Sequence, residues 1–253
     1  YNTHGRQLSP FLLLDHMGLT AETIAAQYGF NRADLDAFAA QSHQRAAMAQ
    51  QQGYFAEQIV PVTVKSGRVE NVFNRDEHIR GDTTADSLAK LKPAFKADGI
   101  VTAGNASGLN DGAAAMLLTS RFEAEKRGLK PAARLLGYAF AGVEPGVMGL
   151  GPIPAVQQVL AQTGLTVADI DVIESNEAFA AQALAVSQTL GFDSRKVNPN
   201  GGAIALGHPV GATGSVLIIK LMAELKRTGG RYGLVTMCIG GGQGIALLLE
   251  SLS

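Results

Sequence analysis

The sequence predicts an α/β layered domain over residues 130–253, preceded by an irregular, helix-containing subdomain over residues 1–109. Three observations predict it. Strand-like and helix-like patterns alternate through the second half, as they do in layered α/β domains. The first half carries two helical patterns and then a long stretch of weak periodicity. Glycine makes up 30 of the 253 residues, well above a usual share of about 7%. Thirteen of those glycines lie from Gly191 onward, which implies special backbone geometry there.

Each element has its own signal. Thr20-Ala-Glu-Thr reads as a helix start, with a capping oxygen and an acid in the first turn. That helix stops at Gly29. Asn31 caps a second helix, which places Leu35, Phe38, Ala39, Ser42, Ala46 and Ala49 on roughly one face and ends at Gly53. Residues 59–64 and 69–73 are β-branched runs split by Ser66-Gly67, a hairpin pattern. Residues 74–112 are loop-rich, and long loops in compact chains are often functional. Residues 113–119 form an apolar run suited to a buried strand. A charged helix follows over 121–127 and ends at Gly128. Residues 132–143 read as a strand. Pro152 opens a helix reaching about Gln162. Residues 170–173 are a strand, 177–190 a helix ended by Gly191, and 211–227 a long helix ended by Gly229-Gly230. Residues 234–237 and 245–249 are the last strands.

Composition narrows the function. The chain is 46% hydrophobic and 17% charged, so a packed core is expected and disorder is not. The formal net charge is 21 − 22 = −1, which offers no footprint for nucleic acid or an acidic membrane. No apolar run reaches the roughly 18 residues of a membrane span. One cysteine excludes an internal disulfide and a cysteine-cluster zinc site, and no metal is expected. It fits a reducing, cytoplasmic setting.

Three junctions carry the candidate chemistry. In Glu174-Ser-Asn176-Glu177 a strand hands over to a helix, and polar groups there face the crevice where α/β sheets bind ligands. The same residues could simply cap the helix. In 198–214, five glycines surround His208. This is neither a Walker loop nor a dinucleotide fingerprint. It fits backbone approach to a ligand, or plain packing through small residues. In Cys238-Ile-Gly240-Gly241-Gly242 the single cysteine sits where a strand breaks into glycines, a run able to present N–H groups to an anion. On residue types alone, a thiol hydrolase using Cys238 and His208 stays open, as does a buried structural cysteine.

Together these segments resemble the thiolase family. Asn-Glu-Ala-Phe (176–179), Gly-His-Pro-x-Gly (207–211) and Cys-x-Gly-Gly-Gly (238–242) match its active-site motifs in order. Asn-Ala-Ser-Gly-Leu-Asn-Asp-Gly-Ala-Ala (105–114) and His-Met-Gly-Leu-Thr-Ala-Glu (16–22) match as well. The resemblance implies a layered αβαβα fold with the C-terminal half complete over 130–253. It implies a coenzyme A-binding loop subdomain over 1–109, and 110–129 as the closing strand and helix of an N-terminal half. It implies acyl transfer between acetyl-CoA and acyl-CoA by a covalent Claisen mechanism, with CoA thioesters as substrates and no cofactor. His208 would activate a nucleophilic cysteine and line an oxyanion hole, Asn176 would hold the water completing it, Cys238 would be the acid/base, and Gly240 would donate its N–H to a second hole. A thiol suits that work because neighbours can lower its pKa from about 8.5. Arg80 and Ser87 match positions near the nucleotide, and Ser107 and His16 positions along the pantetheine. Met17 and Met148 match positions that shorten the acyl pocket, which favours short-chain acetyl-CoA acetyltransferase over a long-chain 3-ketoacyl-CoA thiolase. The family's nucleophilic cysteine has no match here. An N-terminal thiolase segment carrying it is therefore an expected partner, and this chain alone is expected to be inactive. A homodimer or tetramer is implied. A long-chain 3-ketoacyl-CoA thiolase of β-oxidation and a non-catalytic acyl-CoA-binding relative are the alternatives.

Overall fold

The computed structural model describes residues 16–67 and 69–252. The first fifteen residues of the expected 1–109 subdomain lie outside the described part. Helix α1 (Met17–Tyr28) starts at Met17 rather than at Thr20. His16 supplies the cap, its Nδ1 accepting from the Gly18 N–H, and Thr20 lies inside the helix with its hydroxyl donating to the Met17 carbonyl. Gly29 ends α1 in the left-handed region, as the sequence predicts. Helix α2 (Arg32–Gln51) opens with the expected Asn31 cap, closed into a box by Asp34. Strands β1 (Val62–Ser66) and β2 (Val69–Phe73) form the expected hairpin, shifted later at its first strand. A short helix α3 (Ala85–Leu88) follows, which weak periodicity concealed.

The run over 113–119 is not a buried strand. It has no regular structure, and Leu117 and Leu118 are 82% and 72% exposed. An apolar run becomes a strand only when a sheet edge pairs with its backbone, and among the described residues no strand pairs with this one. Helix α4 (Arg121–Lys126) follows, with Ser120 as its cap.

The second half is an α/β/α sandwich. Its sheet is ordered β3 (Ala133–Gly142), β6 (Gln243–Ser251), β5 (Tyr232–Ile239), β4 (Val172–Ser175). Strand β6 is antiparallel to both neighbours, and β4 and β5 are parallel. Val197 adds a parallel bridge beyond Ile173. Side-chain alternation splits the core. Ile173, Leu234 and Leu248 face helix α5 (Pro152–Thr163), while Val172, Val235 and Leu249 face helix α8 (Thr213–Thr228), which follows the four-residue helix α7 (Ala203–Leu206). Helix α6 (Ala180–Leu190) begins later than Glu177, because Asn176–Phe179 stay extended or looped along the site. Strand β4 also ends later than expected, at Ser175, so it runs straight into that loop. A third cluster joins α1, α2, the start of α6 and Cys238. It lies at the carboxyl end of β5, where a parallel α/β sheet opens its crevice.

Candidate active site

The site assembles at the ends of two parallel strands. Ser175 of β4 pairs with Thr236 of β5, and the Asn176 N–H donates to the Thr236 carbonyl at 2.9 Å. Asn176 leaves β4 beside the point where β5 carries Cys238. The glycine-rich segment brings in the histidine. Gly207 turns the chain with φ 88°, and the His208 N–H donates to the Gly108 carbonyl at 3.1 Å. His208 Nε2 then lies 3.3 Å from Asn176 Nδ2, and Nδ1 lies 2.7 Å from Thr213 Oγ1. Two residues separated by 32 positions thus meet side chain to side chain. The Asn176 carbonyl oxygen Oδ1 is buried without a partner.

Electrostatics separates the two acid/base candidates. His208 is half-buried, and that burial lowers its pKa below the ordinary 6.5, so the ring is neutral at pH 7. Cys238 departs from expectation. Burial pushes its thiol up to about 11 rather than neighbours drawing it down. The side chain packs with Met148, Phe179 and Ile204 in an apolar cluster, which disfavours a thiolate. In this chain Cys238 should therefore react with iodoacetamide at pH 7.5 about 100-fold more slowly than a free thiol of pKa near 8.5. Mass spectrometry of timed samples measures this, and labelling at the free-thiol rate would contradict the burial.

The glycines behind Cys238 have a visible purpose. Gly241 and Gly242 have φ near 90°, and a Cβ on Gly242 would overlap the Val143 carbonyl. The Val143 N–H donates to the Gly242 carbonyl at 2.7 Å, so the turn holding Gly240 is fastened to the end of β3.

Sequence reasoning missed the scaffold under the site. Glu177 is fully buried, and its carboxylate accepts from Ser42 Oγ at 2.6 Å and Asn198 Nδ2 at 2.8 Å, with the Ile204 N–H at 3.3 Å. Ser42 Oγ in turn accepts from the Gly202 N–H. One carboxylate therefore ties α2, the loop after Asn176 and the glycine-rich segment together. Asn198 adopts φ 42°, unusual for a residue with a side chain, and its amide brackets the Ser175 N–H and carbonyl. Lys220 donates to Glu174 Oε2 and to the Gly201 carbonyl, both at 2.7 Å, inside the protein. Glu177 lies in the Asn-Glu-Ala-Phe motif and Asn198 opens the glycine-rich segment, but nothing in the sequence pairs them with each other or with Ser42, nor Lys220 with Glu174, and that pairing needs the fold.

The structure groups the remaining expected residues unevenly. The His16 ring lies 5.0 Å from the Phe95 ring, which meets Phe179 edge-on at 6.0 Å. Met17 and Met148 pack in the same cluster as Cys238. The Ser107 N–H donates to the Ala178 carbonyl, which places Ser107 beside Asn176–Phe179. Ser87 is used in the α3 cap with Thr84, and the Arg80 side chain is exposed in the outer loop. The Arg80 N–H donates to His43 Nδ1. His43 is held at about 4 by burial, then by His78 and Arg80, with Asp82 opposing. Its folded pKa lies below its unfolded one, so its contribution to stability is lost as pH falls from about 6.5 toward 4. About 3 kcal/mol is at stake, and His43→Gln should flatten that part of a urea-denaturation profile against pH.

A cleft of about 580 Å³ opens between α1 and residues 96–100, but Asn176, His208 and Cys238 do not line it. Among the described residues, no cluster of His, Cys, Asp and Glu is arranged to hold a metal, and no helix is long and apolar enough to cross a membrane.

The fold is shared with solved thiolases. The Bacillus anthracis acetyl-CoA acetyltransferase superposes with a TM-score of 0.91 at 51% identity, covering 93% of this chain and 60% of that one. Human mitochondrial 3-ketoacyl-CoA thiolase in complex with CoA gives 0.86 at 43% identity, covering 93% and 58%. Family models of the thiolase N-terminal domain and the thiolase C-terminal domain match residues 6–122 and 129–251. The chain belongs to the thiolase family. It is 57% identical over 238 residues to beta-ketothiolase BktB of Cupriavidus necator, and 56% identical over 236 residues to an acetyl-CoA acetyltransferase of Chromobacterium violaceum. The matches cover 94% and 93% of this chain and 60% of each relative, so the chain spans about three fifths of their length.

Proposed function

We propose that this chain supplies the acid/base half of a thiolase site, which transfers an acyl group between CoA thioesters by cleaving or forming 3-ketoacyl-CoA. The observation that carries the reading is the meeting of His208 with Asn176 at 3.3 Å, beside the strand end that bears Cys238. The reaction needs two thiols, one to carry the acyl group and one to move protons, and the chain contains one cysteine. The acyl-carrying thiol then comes from a thiolase N-terminal segment outside this sequence. Neutral His208 takes its proton as it attacks the ketone. Cleavage of the carbon–carbon bond leaves an enolate of acetyl-CoA, and the Cys238 S–H, protonated at neutral pH, delivers the proton to its carbon. The resulting Cys238 thiolate accepts the proton of incoming CoA, whose sulfur takes the acyl group, and the acyl-carrying thiol, released as a thiolate, recovers its proton from His208. Asn176 and Gly240 face the charge that develops on the carbonyl oxygens.

Met148 in the same apolar cluster as Cys238, with Met17 packed against that cluster, supports a short acyl chain and hence acetyl-CoA C-acetyltransferase activity. The binding roles of His16, Ser107, Arg80 and Ser87 toward CoA belong to the same proposal, as does a cytoplasmic location. The exposed Leu117, Leu118 and Phe122 support 110–129 as the closing strand and helix of the N-terminal half, docked against the added segment. They also fit assembly into a dimer or tetramer.

The test is acetoacetyl-CoA cleavage by the 253-residue chain alone and by the chain fused behind the leading two fifths of a beta-ketothiolase. No turnover alone and turnover in the fusion are expected. Turnover by the chain alone would sink the two-thiol reading. An inert fusion that still binds CoA would favour the non-catalytic alternative.

A further inference from the structure

We propose that Thr213 is a positioning residue that holds His208 in the Nδ1–H tautomer, leaving the Nε2 lone pair for the site. A threonine hydroxyl has one proton. The geometry assigns that proton to the Pro209 carbonyl, which Oγ1 meets at 2.9 Å and which also accepts from the Ala212 and Thr213 N–H groups. Thr213 is buried in the first turn of α8, so its proton has no water to turn toward. With the proton placed there, Oγ1 offers lone pairs to His208 Nδ1, 2.7 Å away, and Nδ1 carries the hydrogen.

The far side of the ring agrees without deciding. An amide nitrogen only donates, and Asn176 Nδ2 at 3.3 Å faces Nε2 as it would face a bare lone pair. The Asn176 amide could turn over and offer Oδ1 instead, since that oxygen has no other partner. Asparagine therefore accommodates either tautomer, whereas a hydroxyl committed to a carbonyl accommodates one. Serine-type triads orient the ring with a carboxylate, which also stabilises the imidazolium. The hydroxyl–carbonyl relay orients the ring without adding negative charge. This matches a His208 whose proton affinity is lowered by burial.

The proposal rests on reading His208 as the base of the site, but its test reads a proton position rather than turnover. Its failure is therefore told apart from failure of the acyl-transfer reading. Histidine labelled with ¹⁵N in the 253-residue chain reports both ring nitrogens by long-range ¹H–¹⁵N correlation. Protonated Nδ1 and bare Nε2 are expected in the wild type, in Thr213→Ser and in Asn176→Ala. Thr213→Val should move the proton largely to Nε2. The proposal is overturned by a wild type carrying the proton on Nε2, by Thr213→Val matching the wild type, or by Asn176→Ala alone inverting the tautomer. The wild type and Asn176→Ala remain decisive if Thr213→Val does not fold.

Discussion

Replacing His208 with Asn in the fused, active protein is expected to lower kcat for acetoacetyl-CoA cleavage by about 10³-fold, within the range typical of a lost general base. KM should change little. The backbone contacts of residue 208 to Gly108 and Asn110 do not involve the ring, so the neighbouring segments keep their places. What is lost is a lone pair able to take a proton from the attacking thiol. The pH profile carries a second signature. Burial lowers the His208 pKa, and the ring works in its neutral form, so kcat/KM should hold as pH falls to 6.5 and drop only below it. Steady-state assays across pH 5–8 measure both effects. A variant within tenfold of wild type would remove His208 from the role of base.

Replacing Lys220 with Met is expected to destabilise the fold by about 3–5 kcal/mol, the usual consequence of breaking one side of a buried ion pair. Lys220 and Glu174 are both buried, and Glu174 Oε1 already lacks a hydrogen-bond partner. Burial holds Glu174 up at about 6, with Lys220 pulling the other way. The sign follows from proton counting. A carboxyl with a raised folded pKa binds more protons folded than unfolded, so its contribution is present below about 4.5 and is lost as pH rises through 6. Without Lys220 the folded pKa rises further. The cost of Lys220→Met should then be larger at pH 8 than at pH 5.5. Urea denaturation at the two pH values checks this, and the double change with Glu174→Met should recover most of the loss. Equal costs at both pH values would show that Glu174 is not the group left exposed to the change.

Local signals made much of the fold legible. Asn31, Ser120, Gly29, Gly128, Gly191 and Gly229 punctuate helices where a cap or a left-handed residue is needed, and those needs are local. Three readings failed for non-local reasons. Thr20 has a capping side chain, but the histidine at position 16 reached the free N–H groups first. Residues 113–119 have the apolarity of a strand and no strand to pair with among the described residues. The lowered pKa expected for the Cys238 thiol gives way to burial in a cluster with Met148, Phe179 and Ile204, far away in sequence. The site divides the same way. Motif order marked Asn176, His208 and Cys238. Glu177 lay inside a motif without its partners showing, and Thr213, Ser42 and Lys220 carried no motif, because their work is done through contacts between distant segments.

The carboxylate of Glu177 has a consequence for how the site meets its substrate. Glycine-rich segments ordinarily fluctuate, and a catalytic group carried on one must be reordered each time a ligand arrives. Here the segment from Asn198 to Ile204 is bound to α2 and to the Asn176 loop by the chain's own groups. The entropy of ordering it is spent at folding instead of at binding. In the proposed acyl transfer, little reorganisation of this segment is then expected in each cycle, and a substrate would dock on a finished mould rather than induce its fit.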